Sequence, residues 1–115
     1  MTPTQWLEAM RSVWLSQKPA DIAELLSENL HYYESPTDEQ PLRTVDDVVK
    51  EWETIKYQDI EYVDIDVLHE DNNVCFAQWR FKELNKPEHI GSYFLKLDES
   101  GKCIEFRQWW NVKED

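Results

Sequence analysis

Six tryptophans in 115 residues are the most unusual chemical resource of this sequence. Trp6, Trp14, Trp52 and Trp79 fall on faces that periodicity assigns to the interior. Core filling accounts for most of them. Several indoles turned toward one cavity would also line an apolar ligand site, since small-molecule pockets are walled mainly by aromatic and aliphatic side chains. Other reactive side chains offer less. The two cysteines, Cys75 and Cys103, and the three scattered histidines match no metal-ligand spacing, and neither CxxC nor HExxH occurs. No metal site is expected, and no cofactor is implied. Two buried, reduced thiols are the expected state of the cysteines.

These side chains need elements to carry them. Thr2 is placed to cap a first helix, with Pro3 in its first turn and Gln5 closing a capping box. Trp6, Met10, Val13 and Trp14 then share one face. Lys18-Pro19 ends this helix and starts a second, whose short apolar stripe is Ile22, Leu25 and Leu26. Thr44 reads as the cap of a third helix, with Asp46 and Asp47 in its first turn. Its buried face would be Val45, Val48, Val49, Trp52 and Ile55. Between the second and third helices, Leu30-His31-Tyr32-Tyr33-Glu34 reads as a short strand halted by Ser35-Pro36 and followed by a polar loop.

From Asp59 the pattern changes to period two. Strands are expected over 59–69, 74–84, 89–97 and 103–112, separated by Asp71-Asn72-Asn73, Asn85-Lys86-Pro87 and Asp98-Glu99-Ser100-Gly101. Val63, Ile65 and Val67 share one face of the first; Cys75, Ala77, Trp79 and Phe81 share one face of the second. In the last, Ile104, Phe106, Gln108 and Trp110 oppose Cys103, Glu105, Arg107 and Trp109. A four-strand antiparallel meander must have its apolar face covered, and three amphipathic helices supply the cover. The strands carrying Cys75 and Cys103 are then separated by another strand, which disfavours a disulfide. The expectation is one α+β domain over residues 1–115.

Charge narrows the partners. Twelve basic against twenty-four acidic residues give a net charge of -12. That surface repels phosphate backbones and anionic lipid, so neither nucleic acid nor membrane is an expected partner, and solubility is the main use of the charge. No apolar run approaches a membrane span. Residues 1–10 lack the basic-then-apolar order of a signal peptide. A soluble cytoplasmic protein is expected.

Three segments carry a resemblance over nearly the whole chain. They are Asp21-Ile22-Ala23-Glu24-Leu25-Leu26 leading to Tyr33-Glu34-Ser35-Pro36, then Asp46-Asp47-Val48-Val49 before Trp52, and finally Gly101-Lys102-Cys103-Ile104-Glu105-Phe106-Arg107-Gln108-Trp109-Trp110. With the element order, they make the chain resemble the nuclear-transport-factor-2-like superfamily, which includes SnoaL-type cyclases and ketosteroid isomerases. The resemblance implies a cone-shaped curved antiparallel β-sheet, of the cystatin-like type, covered by the three N-terminal helices and enclosing one pocket.

In ketosteroid isomerases a general-base carboxylate directly precedes the proline that ends the first strand. Here that residue is Ser35; counting from Ile22 instead moves the position to Glu34. The two registers turn opposite strand faces inward. Leu30, Tyr32 and Glu34 inward is favoured, because the alternative buries His31 and Ser35. Of the isomerases' two oxyanion donors, the helix position falls on Met10, which cannot donate, and the sheet position on Tyr93, which can. Steroid isomerisation is therefore disfavoured.

The resemblance thus gives Glu34 as a pocket base or a solvated strand-end glutamate, and Tyr93 as a ligand donor or a core tyrosine bonded to backbone. The expected ligand-binding residues are Met10, Trp14, Tyr32, Trp52, Trp79, Gln108 and Trp110, the last as the aromatic that closes the pocket. A small apolar or aromatic ligand is the leading expectation, ahead of proton-transfer catalysis by Glu34 and Tyr93 and of a non-catalytic interaction module. The resemblance also implies a homodimer through the sheet face bearing Glu105, Arg107 and Trp109.

Overall fold

The capping box forms as the sequence dictates. Thr2 Oγ1 accepts from the Gln5 amide at 3.2 Å, and Gln5 Oε1 accepts from the Thr2 amide at 2.8 Å. This starts α1 (Pro3–Ser16), which ends when Gln17 turns left-handed at φ 55°. Trp6, Leu7, Met10 and Val13 are its buried face. The structure, a computed structural model, describes residues 1–35 and 37–112. Pro36, expected to help halt the first strand, lies outside the described residues.

A 3-10 helix (Pro19–Leu25) follows, then β1 (Leu26–Tyr33). The expected second helix is thus a tight seven-residue segment. Leu26, expected on its stripe, is already strand and pairs with Cys103. Proline at one end and strand pairing at the other leave no length for a regular α-helix. Next comes α2 (Val45–Trp52), capped by Thr44 Oγ1 accepting from the Asp47 amide at 3.1 Å, and a 3-10 turn (Glu53–Tyr57) continues it. Val48, Trp52 and Ile55 are buried along this pair, with Val45 and Val49 half-buried.

The remaining strands are β2 (Ile60–Asp71), β3 (Val74–Glu83), β4 (His89–Leu97) and β5 (Cys103–Val112). Asn72 and Asn85 adopt positive φ in the two hairpin turns, a conformation asparagine tolerates, and Gly101 does so after β4. The order β1-β5-β4-β3-β2 is antiparallel from β5 to β2, and β1 joins β5 in parallel. The expected antiparallel meander is therefore completed into a mixed, curved five-stranded sheet. The other edge of β1 exchanges two 2.9 Å backbone bonds between Tyr32 and Leu42, so the loop shields that edge.

One face assignment changes. Cys103 was expected opposite Phe106, yet both are fully buried on the core side. The cause is a bulge: Leu97 pairs with Cys103 and Lys96 with Glu105, so two residues of β5 answer one of β4. The extra residue flips the start of β5 and seals Cys103 inside. Burial pushes the Cys103 thiol well up and the Cys75 thiol to about 11; both are unpaired thiols on strands separated by β4.

Candidate active site in the cavity between helices and sheet

β1 alternates as the favoured register requires. Leu30 and Tyr32 are buried, His31 is exposed, and Glu34 follows at the strand's end. Ser35 instead lines a shallow depression with Tyr33, Arg107 and Trp109. Gln108 of β5 fixes the strand end, its Nε2 donating to the Glu34 carbonyl at 3.2 Å. The Asp38 carboxylate accepts from the Glu34 amide at 3.2 Å.

These contacts bring the Glu34 side chain to the rim of a cavity of about 140 Å³. Met10 and Trp14 of α1, Tyr32 of β1 and Trp52 of α2 form its walls; Tyr93 and Phe106 of the sheet, with Gln108, form its floor. A second cavity of about 260 Å³ adjoins it across Trp14, Gln58 and Gln108, and contains Trp79, His89 and Trp110. Every ligand-binding residue expected from sequence lines one of the two, but not all line the same one. Trp79 and Trp110 belong to the outer cavity. Trp110 is 44% exposed, so it flanks the opening rather than closing it.

Protein bonds hold two of the cavity indoles in place, whereas Trp79 Nε1 is buried without a partner among the described residues. Trp52 Nε1 donates to the Tyr32 hydroxyl at 3.0 Å and Trp14 Nε1 to Gln58 Oε1 at 2.7 Å. Trp14 and Trp52 meet edge-on, with ring centroids 6.1 Å apart. Tyr93 stacks on Trp79 at 5.5 Å and tilts against Phe106 at 4.9 Å. Its hydroxyl has no hydrogen-bond partner among the described residues, so the expected backbone bond is not formed. Burial raises the Tyr93 phenol far above its ordinary range, which keeps the proton on the oxygen.

Glu51 was not anticipated. It lies on α2, between Val48 and Ile55 at spacings of three and four, the one signal that could have placed it beside the buried stripe. It lines the same cavity as Glu34, and its carboxylate acts on the Glu34 carboxyl. Desolvation, then repulsion and hydrogen bonding from Glu51, then repulsion from Asp38, raise the Glu34 carboxyl from 4.5 to about 7. The Glu34 carboxyl is therefore poised to take up a proton near neutrality. Burial and the Glu34 charge likewise push Tyr32 well up. Among the described residues no group of three His, Cys, Asp or Glu could hold a metal ion.

No family model matches the sequence, and no curated protein matches it. Solved structures do match its shape. A nuclear-transport-factor-2-like protein of unknown function from Burkholderia xenovorans superposes with a TM-score of 0.77 over 97% of this chain and 84% of that one, at 7% identity. The fold is nuclear-transport-factor-2-like. A steroid delta-isomerase from Pseudomonas aeruginosa shares this fold with a TM-score of 0.73, covering 96% of this chain and 84% of that one at 14% identity. An LEH-like epoxide hydrolase from M. tuberculosis does so with a TM-score of 0.69, covering 93% and 80% at 10% identity. One nuclear-transport-factor-2-like frame therefore carries different chemistries, and the side chains in the cavity decide which.

Proposed function

We propose that this protein binds a small, largely apolar or aromatic compound in the cavity between α1, α2 and the sheet. The observation that carries the reading is Tyr93, a side chain 1% exposed that lines the floor of an aromatic-walled cavity and whose hydroxyl bonds to no described residue. A cavity-lining hydroxyl with no protein partner is free to bond to a ligand, which gains that hydrogen bond. The inner cavity is small for a drug-sized ligand, so a one- or two-ring compound reaching the outer cavity fits better than a steroid.

Indole N–H resonances supply the test, with 2-naphthol as the probe. Saturable shifts at Trp14 and Trp52, a silent Trp109 and a loss of about fivefold in affinity on Tyr93→Phe are expected, since one neutral hydrogen bond contributes about 1 kcal/mol. No saturable shift, or one confined to Trp109, would refute the reading.

The Glu34–Glu51 pair favours a second reading, proton-transfer catalysis of the isomerase, cyclase or dehydratase kind. A carboxyl poised near 7 is matched to abstracting and returning a proton at neutral pH. Tyr93 would act as its only oxyanion donor, because Met10 contributes none. Full turnover by Glu34→Gln on a substrate found by screening would remove this reading.

The outer sheet face is assigned to a second copy of the chain. It presents Trp109 at 40% and Phe76 at 47% exposure, with Arg107 over the Tyr33 ring at 4.1 Å and bonded to Glu105 at 2.7 Å. A cytoplasmic setting accords with the two unpaired thiols.

A further inference from the structure

Glu34 and Glu51 bring two carboxyls to the inner cavity, while Asp38 lies in the adjoining depression that Arg107 also lines. Ion pairs elsewhere join Lys56 to Glu53, Lys82 to Glu61, Lys86 to Glu83 and Arg107 to Glu105. Among the described residues none reaches Glu34, Glu51 or Asp38. The charges acting on Glu34 are Glu51 from α2 and Asp38 from the loop, both negative. The other elements around the cavity face it with neutral groups: Met10 and Trp14 from α1, Tyr93 from β4, Gln108 from β5. The partly buried Glu34 carboxyl, facing a second carboxylate and no cationic partner, leaves a place for a cation.

We infer that the compound this cavity takes is an organic ammonium ion, its cation held between the Glu34 and Glu51 carboxyls and its ring among Trp14, Tyr32 and Trp52. The inference rests on the binding function proposed above and names the ligand's class. Tyr93 is the independent sign that the space is made for a ligand: it is 1% exposed, and its hydroxyl faces the same cavity without a partner. Its oxygen can accept from an ammonium N–H while its ring bounds the apolar part. Aromatic walls distinguish an organic cation from a metal ion, because ring faces attract ammonium groups while a metal requires further oxygen or nitrogen ligands. The net charge of -12 also draws cations toward the protein. The inner volume of about 140 Å³ suits one ring on a short chain.

Three probes of matched shape test the inference by calorimetry: 2-phenylethylamine, neutral 2-phenylethanol and anionic phenylacetate. At about pH 8 the amine is expected to bind about tenfold more tightly than the alcohol, the usual margin of a charge-assisted over a neutral hydrogen bond, with phenylacetate weakest. The amine's advantage should shrink toward pH 6 as Glu34 takes up a proton, and near pH 7 binding should release protons to the buffer. Glu34→Gln with Glu51→Gln should bring the amine-to-alcohol ratio close to one. Equal binding of amine and alcohol by the unaltered protein overturns this inference and leaves the cavity reading standing. Tightest binding of phenylacetate likewise overturns it. Failure of all three to bind at millimolar concentration overturns both. If the double variant does not fold, the pH series on the unaltered protein still separates these outcomes.

Discussion

Replacing Glu34 with glutamine should stabilise the protein, and the gain should depend on pH in a particular direction. The folded state holds this carboxyl at about 7, against 4.5 ordinarily, through desolvation and then the facing Glu51 and Asp38. The unfolded chain lacks those neighbours, so between these values the folded state binds the proton more tightly. Stability is therefore lost as pH rises from the ordinary value through about 7, and the whole penalty remains above it. Converted without screening, the shift corresponds to about 3 kcal/mol; at a rim open to water, about 1–2 kcal/mol is the better figure. Urea unfolding followed by tryptophan fluorescence near pH 5 and near pH 8 measures it. Glu34→Gln should gain about 1–2 kcal/mol more at the higher pH than at the lower. Glu51→Gln should act in the same direction, and the two together should give less than their sum, since each relieves the same repulsion. An identical effect at both pH values would refute the carboxyl pair.

Gly91→Ala should destabilise by about 2–4 kcal/mol, as overpacking beside rigid neighbours does. Its Cβ would meet the Trp109 carbonyl and lie 2.8 Å from the Trp79 ring, and the change in thermal midpoint reports the cost. If the proposed dimer forms through the outer sheet face, Trp109→Glu should convert it to monomer in sedimentation velocity without lowering the thermal midpoint by more than a few degrees, because the side chain is 40% exposed in the single chain. An unaltered dimer would remove this face as the interface.

Legibility in the sequence followed the range of the interactions. Thr2 and Gln5 lie three residues apart and act on one helical turn, so the start of α1 was readable. Alternation within β3 placed Cys75, Ala77, Trp79 and Phe81 inside before any partner strand was known. The start of β1 was not readable, because Leu26 continues the apolar stripe of the preceding helix and becomes strand only through its pairing with Cys103. The face of Cys103 depended on a bulge set by the turn after β4. In the site, strand alternation turned Tyr32 inward, while Glu34 and Tyr93 came from positions that the family resemblance implies. Glu51 was not readable, because a carboxylate on a helix flank looks like any solvated charge until the angle between helix and sheet brings it to Glu34.

The parallel pairing of β1 with β5 has a consequence for when the site comes into being. The bond that fixes the Glu34 backbone comes from Gln108, 74 residues further along the chain. Phe106 at the cavity floor belongs to the same late strand, as does Trp110 beside the outer opening. Non-local closure of this kind is slow relative to helix and hairpin formation. During synthesis, α1, α2 and the β2–β3 hairpin can therefore form before any pocket exists, and the cavity is closed only when β5 docks. A ligand of the proposed kind, present at that moment, would favour the completed fold over an open-edged intermediate, and its occupancy would report that β5 has docked.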